Sequence, residues 1–221
     1  MDHDDLSSLG GCVSLAGQGP HESLRPIPHG RGIGLDGPLM TQALEELRYI
    51  SALMDNMRIE AQLDGTLASG EPVELGHVLE LVLGRERLIA RRQEVELAGS
   101  WPDEPVWVTS QVVMAQQALT NVVHNAVRYN EPGGHVAVVL EVLPEARFRL
   151  MVLDDGPGVP PEALERLVER QFRVEEARPR DGAGLGLYIT SRICERWGWS
   201  LKLEATEPSG LKVTIEGDLN V

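Results

Sequence analysis

The last two-thirds of this chain alternates helix-period and strand-period segments, and its longest strands come in adjacent pairs. No other feature restricts the fold as much. Residues 111–127 place Val112, Ala115, Leu119, Val122, Val123 and Ala126 along one face of a helix. Residues 135–142 and 148–153 are strongly β-like and predict a hairpin. Residues 185–197 return to helical spacing and stop at Gly198, and residues 201–205 and 211–215 predict a second hairpin. Upstream, residues 73–75, 95–98 and 106–108 read as short strands and 78–90 as a helix, while 162–168 form a short helix. Hairpins separated by helices leave the helices segregated to one face of a mixed sheet. The expectation is an α+β fold, a two-layer sandwich, over residues 72–217.

The N-terminal part differs. Residues 1–38 are rich in Gly, Pro, Ser and His, and the run from Pro26 to Gly34 cannot hold a regular helix. They are expected to be disordered or degenerate. Residues 39–65 change character: Met40, Ala43, Leu47, Ile50, Met54, Met57 and Ala61 step by three and four in alternation, with Leu44 and Leu53 widening the stripe. This is a coiled-coil type of seam on one long helix. It predicts either a dimer formed through residues 39–63 or a helix lying on its own domain.

The balance of 20 basic against 34 acidic residues gives a net charge of −14, which argues against nucleic-acid or anionic-membrane partners. A nucleotide is still admissible, because backbone amides and a metal ion hold it locally. Cys12 and Cys194 stand too far apart in too long a chain to be a disulfide framework, and read as reduced thiols. No apolar run reaches the roughly 18 residues of a membrane span, and the acidic start from Met1 to Asp5 lacks the basic region of a signal peptide. A cytoplasmic protein is expected.

Three segments carry chemistry. In the helix 111–127 and its end, Asn121 and Asn125 sit one turn apart on one face, followed by Arg128 and Tyr129. Asparagine is a poor interior helix residue, and its amide oxygen suits Mg²⁺. After the first hairpin comes Asp154-Asp155-Gly156-Pro157-Gly158, where a carboxylate can accept from an exocyclic amine and glycines let the backbone approach a flat base. The third is Gly182-Ala183-Gly184-Leu185-Gly186, opening a helix whose free N–H groups suit phosphate. Each alone has a plain structural reading as a surface amide, a turn or a loop.

In this order and spacing, the three resemble the N box and the two glycine boxes of GHKL ATP-binding domains, the Bergerat fold, in their sensor histidine kinase branch. The resemblance covers about residues 72–217. It implies that Asn125 binds Mg²⁺, that Asn121 is its polar partner, that Arg128 reaches phosphate and that Tyr129 packs on adenine. It further implies that Asp154 reads adenine beside Gly156 and Gly158, and that Gly182, Gly184, Leu185 and Gly186 line the phosphates. The stretch from Val168 to Arg173 is similar to the F box, keeping Phe172 and Arg173, with Val168 and Gln171 where the family has aromatics. The cofactors implied are ATP and Mg²⁺. Where the ATPase and serine-kinase branches carry a glutamate base, this chain has Asn121, and an amide cannot take a proton from water at neutral pH.

A histidine kinase also needs an acceptor imidazole. His21-Glu22-Ser23-Leu24-Arg25-Pro26 has a histidine, an adjacent acid and a proline at the family's spacing. His21 would be the phosphoacceptor and Glu22 its base. Leu24 and Arg25 depart from the family's pattern, and the residues after Pro26 do not continue a helix. Two functions therefore stand: a histidine kinase passing phosphate to a response-regulator aspartate, or an ATP-binding kinase-like regulator without its own acceptor. A GHKL ATPase or serine kinase is disfavoured by Asn121.

Overall fold

A computed structural model describes residues 47, 50, 51, 54–63, 69–170, 172 and 184–220. The segment 54–63 is helical (α1). There follow β1 (Glu71–Glu74), α2 (Leu75–Arg92), β2 (Glu96–Ser100), β3 (Trp107–Ser110) and α3 (Val112–Arg128). Next come β4 (His135–Leu143), β5 (Arg147–Asp154) and α4 (Pro161–Leu164), which runs into a 3-10 turn, Glu165–Val168. The chain continues through α5 (Gly186–Trp197), β6 (Ser200–Ala205) and β7 (Leu211–Asp218). A five-stranded mixed sheet runs β2-β4-β5-β7-β6, and β1 pairs with β3 in a separate two-stranded sheet.

Burial alternates along the central strands. Val136, Val138 and Leu140 of β4 and Phe148, Leu150 and Val152 of β5 are buried, while Ala137, Val139, Arg149 and Met151 between them are only partly covered. The buried face meets Leu79, Val82 and Leu83 of α2, Ala115, Leu119 and Val122 of α3, and Ile189 and Ile193 of α5 in one core. One helical layer on one sheet face is the α+β two-layer sandwich that the alternation predicts.

The pairing goes beyond simple hairpins: β2 runs parallel to β4, from Glu96↔His135 to Ser100↔Val139, while β1 pairs with β3 and β5 with β7 across intervening elements. The helix predicted at 78–90 begins earlier, at Leu75, because the Glu74 carboxylate caps it, accepting from the Gly76 N–H at 2.8 Å and from the His77 N–H. The predicted helix 162–168 is one α-turn followed by one 3-10 turn. Gly198 ends α5 in the left-handed conformation at φ 69°, as a C-terminal glycine should.

The apolar seam and the docked face of α1 are different faces. Leu47, Ile50, Met54 and Met57 are 63, 50, 65 and 58% exposed. Ile59 is buried, Leu63 packs against the same core, and Asn56 is buried beside them. The helix thus lies on its own domain by one stripe and keeps the seam outward. Among the described residues, no helix is long and apolar enough to cross a membrane.

Candidate functional site

Strand β5 ends on Asp154, and the register Val136↔Asp154 puts that side chain on the helix-covered face. Its Oδ1 accepts two backbone N–H bonds, from Gly156 at 3.1 Å and from Leu211 at 3.2 Å. Burial nevertheless outweighs these bonds and raises its pKa above the ordinary aspartate value. The backbone behind it is tightly built. Gly210, at φ 118°, lies so close that a Cβ there would run into the Asp154 carbonyl oxygen, and a Cβ on Gly158 would meet Gly210 N at 3.0 Å. Thr206 Oγ1 donates to Ser209 O at 2.7 Å and closes the β6–β7 turn against this point.

Helix α3 supplies the opposite wall. Asn121 is buried, donates from Nδ2 to Gly186 O at 3.0 Å, and accepts at Oδ1 from Gln117 Nε2 at 3.0 Å. That bond ties α3 to the first residue of α5. Asn125, one turn on, is half-buried, and its carboxamide hydrogen-bonds to none of the described residues. Two asparagines on one helical stripe therefore differ: one is committed to protein, the other has its oxygen available. Arg128 is half-buried and Tyr129, the C-terminal cap, is exposed. Gly156 meets the end of this helix, since a Cβ there would stand 3.3 Å from Tyr129 O and 3.4 Å from Asn130 Cα.

The third wall is the start of α5. Gly184 sits in the left-handed region at φ 65° and Leu185 precedes the first turn. No side chain caps this helix among the described residues, in contrast to α2. The positive end of such a helix dipole favours an anion. Phe172 lies under the Arg166 guanidinium, 4.2 Å from the ring centre. Gly182 and Arg173 lie outside the described residues, as do His21 and Glu22.

Sequence reasoning missed a cluster at the edge of this site. The Asp155 carboxylate accepts from His135 N–H at 2.6 Å and from Asn130 Nδ2 at 3.1 Å, and faces His135 Nδ1 at 2.8 Å. Those bonds pull the Asp155 pKa down to about 2, and the same carboxylate raises that of His135. Asn130 follows the α3 segment and Asp155 follows Asp154, so the cluster fastens two walls of the site together. Its only sequence signal is the adjacency of Asn130 and Asp155 to residues singled out for other reasons. Thr206 and Gly210 had no signal beyond a turn, and Leu211 none beyond its place in a strand. His124 pairs with the buried Glu86 at 3.1 Å and links α3 to α2.

Residues 111–220 match the sequence family described as histidine kinase-, DNA gyrase B- and HSP90-like ATPase. The matched stretch runs from the start of α3 through β7, so it includes Asn121, Asn125, Asp154 and the start of α5, and the likeness supports ATP binding. Over 205 residues, 93% of this chain, it is 30% identical to the signal transduction histidine-protein kinase/phosphatase MprB of Mycolicibacterium smegmatis, and it spans 40% of that protein's length. The solved structure of a mycobacterial sensor histidine kinase MprB superposes with a TM-score of 0.59 at 29% identity, covering 68% of this chain and 97% of the other. Histidine kinase ThkA in complex with response regulator protein TrrA superposes at 0.66 with 18% identity over 86% of this chain and 52% of the other, a likeness of fold alone.

Proposed function

We propose that this chain is the catalytic part of a two-component histidine kinase, moving the ATP γ-phosphate to a histidine and from there to a response-regulator aspartate. The observations that carry the reading are that α3 bonds the start of α5 through Asn121 and Gly186 and, two turns on, packs its end against Gly156 beside Asp154, with Asn125 uncommitted on the turn between. Both backbone bonds to Asp154 fall on Oδ1, which leaves Oδ2 to accept from the adenine amine. Tyr129 packs on the base. The phosphates extend toward Gly182, Gly184, Leu185 and Gly186, where the start of α5 favours negative charge. Arg128 and Arg173 balance charge during transfer, and Phe172 supports the adjoining segment.

The Asn125 oxygen fits Mg²⁺, a hard cation that takes few protein ligands and keeps phosphate oxygens and water. When bound, it neutralises charge on the transferring phosphate. Asn121 cannot serve as a base, and its amide is spent on Gly186 and Gln117. The acceptor is therefore a better nucleophile than unassisted water, an imidazole such as His21 with Glu22 as its base. The partners are a response regulator, in keeping with the ThkA–TrrA complex, and a second copy through residues 39–63. The chain works in the cytoplasm.

Incubation with γ-labelled ATP and Mg²⁺ tests the assignment. Acid-labile, base-stable label that is lost in His21→Ala makes the chain a complete kinase. Label on neither this chain nor a supplied histidine-bearing fragment of a relative, with ATP bound, would remove the transfer reaction and leave a nucleotide-binding regulator.

A further inference from the structure

The docked face of α1 is not simply apolar. Asn56 Oδ1 accepts from Gln117 Nε2 at 3.1 Å and from Asn121 Nδ2 at 3.4 Å, and Gln117 Nε2 also donates to Asn121 Oδ1 at 3.0 Å. Asn56 and Asn121 are 7 and 8% exposed. One turn further along α1, Glu60 accepts from Tyr188 Oη of α5 and meets Arg170 Nη2, each at 3.4 Å. Two positions of α1 a turn apart therefore reach residues bordering the nucleotide site, one through α3 and one through α5.

Packing alone does not call for this arrangement. Ile59 and Leu63 already give α1 an apolar anchor. Two buried carboxamides, Asn56 and Asn121, and the half-buried one of Gln117 cost desolvation that is recovered only when each is oriented and paired. Here the pairing fixes direction. Both Asn121 N–H groups are used, one on Asn56 Oδ1 and one on Gly186 O, and its oxygen takes the Gln117 donor. The amide cannot be turned over without losing all three bonds. Gly186 is the first residue of α5, so the chain of contacts runs from α1 through Asn121 to the turn proposed to face the phosphates.

We propose that Asn56 is a positioning residue of the nucleotide site, acting through Asn121 on the first turn of α5. This rests on the ATP-binding reading above. A rotation or displacement of α1 breaks the Asn56 contacts and leaves Gln117 and Asn121 each short of an acceptor. The phosphate side of the site then loses its fixed arrangement while the adenine side, built on Asp154 and the β6–β7 turn, keeps its own. By reciprocity, nucleotide bound at that turn favours docked α1.

The experiment is calorimetry of ATP with Mg²⁺ and of adenosine on the full chain, Asn56→Leu, Asn121→Ala and the double variant. Asn56→Leu is expected to weaken ATP about five-fold and adenosine less than about two-fold, and to have no further effect in the Asn121→Ala background. Equal weakening of ATP and adenosine would make Asn56 a structural residue only. An additive effect in the double variant, or unchanged ATP affinity, would also overturn the proposal. Failure of the unaltered chain to bind either ligand would instead overturn the nucleotide reading and this role with it.

Discussion

In the proposed site, Asp154 is the residue on which nucleotide choice turns. Asp154→Asn keeps an oxygen for the Gly156 and Leu211 N–H groups and presents an NH₂ where Oδ2 stood. A donor then faces the adenine amine. A hydrogen bond to a charged group contributes about 1.5–3 kcal/mol, so ATP affinity should fall roughly ten-fold or more while the melting temperature stays near that of the parent. Inosine triphosphate, with an acceptor at that position, should lose less. Because burial raises the Asp154 pKa, ATP affinity should decline on acidification from a higher pH than an ordinary aspartate would give. The asparagine variant should show no such decline, and calorimetry between about pH 4 and 7 checks both statements.

The His135–Asp155 pair makes a second statement at this scale. Asp155 titrates at about 2 in the fold against a usual 3.8, and His135 above its usual 6.5. The pair's contribution is complete above the unfolded aspartate value and below the unfolded histidine value. It fades as pH rises through the raised His135 pKa and as pH falls toward about 2. The melting temperature of His135→Gln should therefore trail the parent most near about pH 5 and converge with it near about pH 9. A gap that does not change with pH would sink the ionic account of this contact.

Among the elements, both β-hairpins, α3 and α5 were legible because their periodicity is local and their stops are glycines or turn residues. The parallel pairing of β2 with β4 and the separate β1–β3 ladder were not, since each joins segments with a helix between them and leaves no local signal. The same limit explains α1. Its seam of Leu47, Ile50, Met54 and Met57 reads directly from three-and-four spacing, yet the face that docks is the one carrying Asn56 and Glu60, which in sequence resembles a solvated stripe. Of the proposed site, Asp154, Asn125 and the α5 glycines stand out in sequence by residue type and order, whereas Gly210 and Leu211 contribute only backbone to Asp154. The outward seam gives a prediction for this helix. The chain should be dimeric by light scattering at tens of micromolar, and Met54→Glu with Met57→Glu should make it monomeric without changing ATP affinity, because neither residue lies on the docked stripe.

At the scale of the molecule, the sandwich brings three segments distant in sequence together along one helix, α3. The sheet fixes Asp154 beside the end of α3, α3 carries the amides, and α5 opens against Asn121 two turns earlier. The central claim is that one nucleotide occupies this junction, with its base at Asp154 and its phosphates at Gly184–Gly186. Backbone amide resonances followed by NMR during titration with ATP and Mg²⁺ test it most directly. The account predicts that the largest shifts fall on Asn125, Tyr129, Gly156, Gly184 and Gly186, with Val139, Met151 and Thr214 on the open sheet face little moved. Large shifts confined to that open face, or none at saturating nucleotide, would contradict it.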